Sequence, residues 1–309
     1  MKRHWASKKE LGTAFGMRFL FELSRRLGRW PFRVSLVPVV LYFFLTQKSK
    51  REASRQYLER LYAHMGLKRS PTLFLVFRHL LTTGEGILEK ILAWDVKEIA
   101  PRITHHGRDT MYRRLNQGKG ILLIGSHLGN MEIARHLAQN ERKVKVNVLV
   151  HTEHTPTFIS LMRHINPQSQ MSLYQVADLS PATAMLLKDK IDAGEVVLIA
   201  GDRIPLDGKG VASASFLSHS AQFPIGPYVL ASLLECPVFL FFCLGRGTSY
   251  DIYYESFAEK IILNRVTRSE ELQALANQYA ERLSYYCTLA PLLWGNIYPF
   301  WEDSELGKP

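Results

Sequence analysis

From about residue 103 onward the chain repeats one pattern, a short apolar run followed by a stretch with helical spacing, and this alternation restricts the fold most. The runs are Gly120 to Gly125 (GILLIG), Val144 to Val150, Met171 to Val176, Glu195 to Ala200 and Pro237 to Leu244. Short apolar runs of this kind read as candidate buried strands. Helical stretches fall at about 129–140, 155–165, 180–193 and 223–235, and a last one at about 269–288. Ser180 followed by Pro181 is a plausible start for the third. Strand and helix in alternation predict an α/β fold with a largely parallel central sheet flanked by helices. Sites in such folds form at the carboxyl ends of strands.

The region before the alternation is different. Residues 49–94 have helical spacing, with Tyr57, Leu61 and Met65 four apart, a restart at Pro71, and Leu73, Phe77 and Leu80-Leu81 continuing an apolar stripe. Of the net charge of +11, residues 1–60 carry +10, from 14 Lys and Arg against Glu10, Glu22, Glu52 and Glu59. A basic arm serves nucleic acid or an anionic membrane, and the residues between its charges favour the membrane. Leu36 to Leu45 (LVPVVLYFFL) is unbroken grease, flanked by Arg25, Arg26, Arg29 and Arg33 before and Lys48, Lys50 and Arg51 after. The run is shorter than the ~20 residues that cross a bilayer core. Partial insertion on an anionic surface fits it best, with a single span or a buried core helix as the alternatives. A cleaved signal peptide fits poorly, because Thr46-Gln47-Lys48-Ser49-Lys50 follows the run in place of small residues. The expected partition is a membrane-association segment over residues 1–60 and one domain over 61–309.

Cys236, Cys243 and Cys287 lie in apolar surroundings with neither metal-ligand spacing nor a disulfide framework, so they read as packing residues. His105-His106 and the pair His151 and His154 have no Glu or Cys set to complete a metal sphere, and no metal is expected.

The chemistry concentrates in Gly120-Ile121-Leu122-Leu123-Ile124-Gly125-Ser126-His127-Leu128-Gly129-Asn130-Met131-Glu132. A strand ends at a Gly-Ser-His turn, and a carboxylate follows five residues after the histidine. On one continuous helix these two side chains would be about 140° apart, so they can meet only across a corner. If they meet, Glu132 holds one ring nitrogen of His127 and the other serves as a general base. Such a base suits acyl transfer, in which a hydroxyl or amine must lose its proton as it attacks a thioester. Ser126 lacks the Gly-x-Ser-x-Gly elbow of a nucleophile.

The Ser-His-Leu-Gly-Asn-Met-Glu block resembles the His-x4-Asp/Glu signature of the lysophospholipid acyltransferase superfamily, in particular its lauroyl and myristoyl lipid A late acyltransferase branch. Lys188 to Arg203 (KDKIDAGEVVLIAGDR), Phe216-Leu217 through Gln222-Phe223-Pro224-Ile225-Gly226-Pro227, Cys236-Pro237-Val238 and Trp294 to Trp301 (WGNIYPFW) are similar to further blocks in the same order. The resemblance implies a glycerolipid-acyltransferase-like fold with His127 as base and Glu132 as its partner. It also implies Asn130 near the pocket, Arg163 on a phosphate of the donor or acceptor, Asp202 and Arg203 at the site's edge, and Phe223, Pro224 and Gly226 as its wall. For Arg163 the other reading is a solvated helix arginine, for Asp202 and Arg203 a turn-closing ion pair, and for Pro-Ile-Gly-Pro a helix start.

The expected activity is transfer of a fatty acyl chain from acyl carrier protein or coenzyme A to a lipid, glycolipid or polyene-type acceptor. No other cofactor and no nucleic acid is expected, and the expected location is the cytoplasmic face of a bacterial inner membrane. The alternatives are a non-catalytic lipid-binding protein of the same fold and a hydrolase that uses water at the same site.

Overall fold

The computed structural model describes residues 30–92, 103–131, 144–150, 172–175, 180–205, 208–247 and 249–301. Among them are seven helices: α1 (Trp30–Thr46), α2 (Lys48–His64), α3 (Leu73–Leu92), α4 (Arg108–Leu115), α5 (Pro181–Asp192), α6 (Gly226–Leu234) and α7 (Arg268–Leu289). The strands are β1 (Ile103–His106), β2 (Ile121–Gly125), β3 (Val146–Val150), β4 (Ser172–Gln175), β5 (Val196–Ala200), β6 (Val211–Phe216), β7 (His219–Pro224), β8 (Val238–Arg246) and β9 (Ser249–Ala258).

Seven strands form one sheet in the order β1-β9-β8-β2-β5-β3-β4, and β6 and β7 form a separate hairpin. Every neighbouring pair in the sheet is parallel except β8 with β9. The sheet is mostly parallel, as the alternation predicts. Its central strand, β2, buries all five residues. Leu122 and Ile124 point into one apolar layer with Phe216, Leu234 and Tyr279, while Ile121 and Leu123 point into the other with Met111 and Tyr254. Each aliphatic side chain so buried contributes about 1.5–3 kcal/mol, which is why β2 carries no polar side chain.

The helices follow the same logic. In α7 the buried positions Leu272, Ala276, Tyr279, Ala280, Leu283, Tyr286 and Cys287 recur at three and four residues, one stripe against the sheet. Ser180 caps α5 by accepting the Thr183 N–H at 3.2 Å, with Pro181 in the first turn. Expected helices at about 129–140 and 155–165 lie outside the described residues, apart from residues 129–131. α6 begins at Gly226, three residues later than the spacing suggests, because Gln222, Phe223 and Pro224 close the hairpin as part of β7.

At the N-terminal side α1 lies antiparallel against α3, with the Phe44 and Phe77 rings 5.7 Å apart at one end and Arg33 paired with Glu85 at 3.0 Å at the other. Tyr57, Leu58 and Leu61 of α2 belong to the main core. Trp30, Val34, Val37, Leu41 and Leu45 are exposed, and their spacing of three and four residues puts them on one side of α1. No described helix is long and apolar enough to cross a membrane.

Candidate active site

β2 and β5 are parallel neighbours in matched register, Gly125 beside Ala200. Two residues beyond each of these lie His127 and Asp202, so the register itself brings the imidazole and the carboxylate together. The His127 Nδ1–H donates to Asp202 Oδ1 at 2.7 Å, and the His127 backbone N–H donates to Asp202 Oδ2, also at 2.7 Å. The strand ends fit tightly. A Cβ on Gly201 would lie 2.7 Å from Ile124 Cγ2 and 2.9 Å from Tyr279 Cζ, and the Tyr279 hydroxyl donates to the Gly125 carbonyl at 2.8 Å.

Asp202 has no exposed side-chain surface, whereas that of His127 is 19% exposed. Burial pushes the Asp202 carboxyl up, but the charge and hydrogen bonds of His127, with Arg203 beyond, outweigh it and hold the group below the usual carboxylate range. Its second oxygen accepts a further hydrogen bond, from Trp294 Nε1 at 3.1 Å. A buried carboxylate receiving three N–H groups stays ionised. It therefore fixes the proton of His127 on Nδ1 and leaves Nε2 as the basic nitrogen.

The turn that carries His127 is bound on two further sides. Gly295 N–H donates to the His127 carbonyl at 2.9 Å and Gly129 N–H to the Leu293 carbonyl at 3.0 Å, around a bridge between Leu128 and Trp294. On the other side Asn130 N–H reaches the Cys243 carbonyl of β8 at 3.2 Å. Gly129, at φ +76°, lies so close to that carbonyl that a Cβ would stand 1.8 Å from its oxygen.

The expected site residues divide by position. Asn130 is buried on the His127 turn, and Arg203 follows Asp202, half-buried. Asp202, expected at the site's edge, lies beneath the histidine ring as its hydrogen-bond partner. Phe223 is fully buried, packed on Phe216, Tyr279 and Phe300 at 5.4–5.9 Å between ring centres, so it backs the site through the core. Pro224 is buried at the end of β7, and Gly226 is half-buried where α6 begins. Glu132 and Arg163 lie outside the described residues. Trp294 is a contact that the motif at residue 127 does not signal. Its only trace in the sequence is its place at the head of the aromatic block.

A strand-end imidazole held by a buried carboxylate, on a mostly parallel sheet, is equipped for proton transfer to and from a reacting group. A family model described as bacterial lipid A biosynthesis acyltransferase matches residues 76–286, more than half of the chain. The chain belongs to that family and is an acyltransferase with a lipid-directed role. No curated protein matches the chain.

Proposed function

We propose that the chain is a membrane-surface acyltransferase of the lauroyl and myristoyl late-acyltransferase type, with His127 as general base. It moves a fatty acyl chain from the thioester of acyl carrier protein or coenzyme A to a hydroxyl or amine of a lipid-type acceptor. The observation that carries the base assignment is the Nδ1 contact to buried Asp202 on a ring that keeps part of its surface open. Nε2 takes the acceptor's proton as the oxygen or nitrogen attacks the thioester carbonyl carbon. The resulting oxyanion is stabilised by donors at the turn or by the Arg203 cation. Collapse breaks the C–S bond, and the thiolate leaves with the proton that the imidazolium returns. Asp202 orients the ring and stabilises its charged form. Glu132, the partner that the family motif implies, is the alternative to Asp202 as the carboxylate that orients the ring, Asn130 shapes the turn, and Arg163 is assigned to a phosphate of donor or acceptor.

Residues 1–60 are assigned to membrane association at the cytoplasmic face of the inner membrane, and residues 61–309 to transfer. The exposed apolar stripe of α1, with Leu73 and Phe74 exposed at the start of α3, supports monotopic docking.

The test is lipid mass spectrometry of cells carrying His127→Ala, Asp202→Asn or Glu132→Gln, paired with thioester assays on the purified proteins. His127→Ala should remove one acylated product and lower turnover by about 10²–10⁴-fold with the fold intact. An unchanged lipid profile would support a non-catalytic lipid-binding protein. Release of free fatty acid without an acceptor would support a hydrolase. Comparing Asp202→Asn with Glu132→Gln tells which carboxylate the base depends on.

A further inference from the structure

His79, on α3, is fully buried and distant in sequence from the His127 turn, yet its ring is held at both nitrogens. Nε2 lies 2.9 Å from the Trp294 carbonyl and Nδ1 lies 2.8 Å from Ser54 Oγ on α2. A carbonyl oxygen can only accept, so Nε2 carries the hydrogen. In a neutral ring Nδ1 must then accept from the Ser54 hydroxyl. Burial keeps the ring in this neutral form, with its titration lowered to about 4.

Residue 294 is thus gripped from three directions. His79 holds its carbonyl, and the Tyr57 ring packs on its indole at 4.9 Å and on the His79 ring at 5.1 Å. Its own main chain is bridged to Leu128. What the grip delivers is the indole N–H, which donates to Asp202 Oδ2. That oxygen also receives the His127 backbone N–H, so Oδ1 is the one presented to the ring.

We propose that Trp294 is a positioning residue for the acyl-transfer site and that neutral His79 sets its placement, linking α2 and α3 to the orientation of His127. This rests on His127 being the base, and it adds that the helices below the membrane-facing α1 determine how well that base is held. Removing the indole N–H leaves Asp202 with one donor fewer and a less fixed plane. Its more concentrated charge would raise the pH at which the His127 ring takes its proton.

The experiment uses the full chain in detergent micelles, with two readouts. Histidine-ring nitrogen NMR follows the titration of His127 without substrate, and turnover is measured with lauroyl thioesters of acyl carrier protein and coenzyme A on a lipid A precursor. Trp294→Phe keeps the aromatic volume and should move the His127 titration upward by about half a unit or more. It should also lower kcat about ten-fold, with KM within about two-fold of the unaltered protein. His79→Leu should act in the same direction. His79→Gln, whose amide N–H replaces the Nε2 donor, should restore both readouts. The proposal is overturned if folded Trp294→Phe leaves the His127 titration in place, or if His79→Gln is as impaired as His79→Leu. Turnover that survives in His127→Ala would instead sink the base assignment. A shifted ring titration in Trp294→Phe would still stand as evidence for the positioning contact.

Discussion

At the scale of single residues, the buried imidazole of His79 makes a prediction independent of catalysis. In the unfolded chain a histidine takes its proton near 6.5, whereas in the fold His79 does so only at about 4. As pH falls below 6.5 the unfolded state binds a proton that the native state refuses, so stability drops across the window from 6.5 to about 4. The loss attributable to this group is about 3 kcal/mol. Denaturant unfolding of the unaltered protein and of His79→Gln at pH 7 and pH 4.5 should show a steeper loss in the former. Asp202 acts lower on the scale. Its lowered carboxyl contributes stability above its unfolded titration, lost as pH falls through the folded one, so the two contributions separate.

At the scale of elements, the dyad exists because two neighbouring strands end level with each other. Gly201→Ala should disturb that alignment, since its Cβ would press on Ile124 and on the Tyr279 ring from opposite elements. A cost of about 1–3 kcal/mol is expected, read as a lower melting temperature, together with a loss of turnover larger than the loss of folded protein. The same strands show what a sequence can and cannot disclose. β2, β5 and β8 are legible because strands covered on both faces become unbroken apolar runs, and β3 and β4 are legible from apolar stretches interrupted by Asn147, Ser172 and Gln175. β9 is hidden because its inward residues include Tyr250 and Tyr254, set between polar neighbours in the run SYDIYYESFA. The β6–β7 hairpin is hidden as well, since VASASF is small and polar and its turn places Leu217 and Ser218 at positive φ without glycine or asparagine. His127 stands out at the end of its strand. That Asp202 would be the group beneath its ring depends on β5 lying beside β2, an adjacency between residues 75 apart that no local pattern records.

At the scale of the whole molecule, α1 exposes the stripe of Trp30, Val34, Val37, Leu41 and Leu45, with Val39 and Tyr42 exposed beside it. Val34→Glu combined with Leu41→Glu should release the protein from vesicles containing anionic lipid, in co-sedimentation, while thioester turnover on a detergent-dispersed acceptor persists. Binding that survives the double substitution would argue that other residues hold the membrane. The Leu293–Gly295 strap across the turn at His127 also orders events in time. A ribosome makes His127 and Asp202 long before residue 294, so the indole donor to Asp202 is among the last parts of this site to be synthesised. Until the strap emerges, Asp202 lacks that donor and the turn at His127 lacks its bonds to Leu293 and Gly295, so the fully braced dyad belongs only to a chain synthesised through this segment.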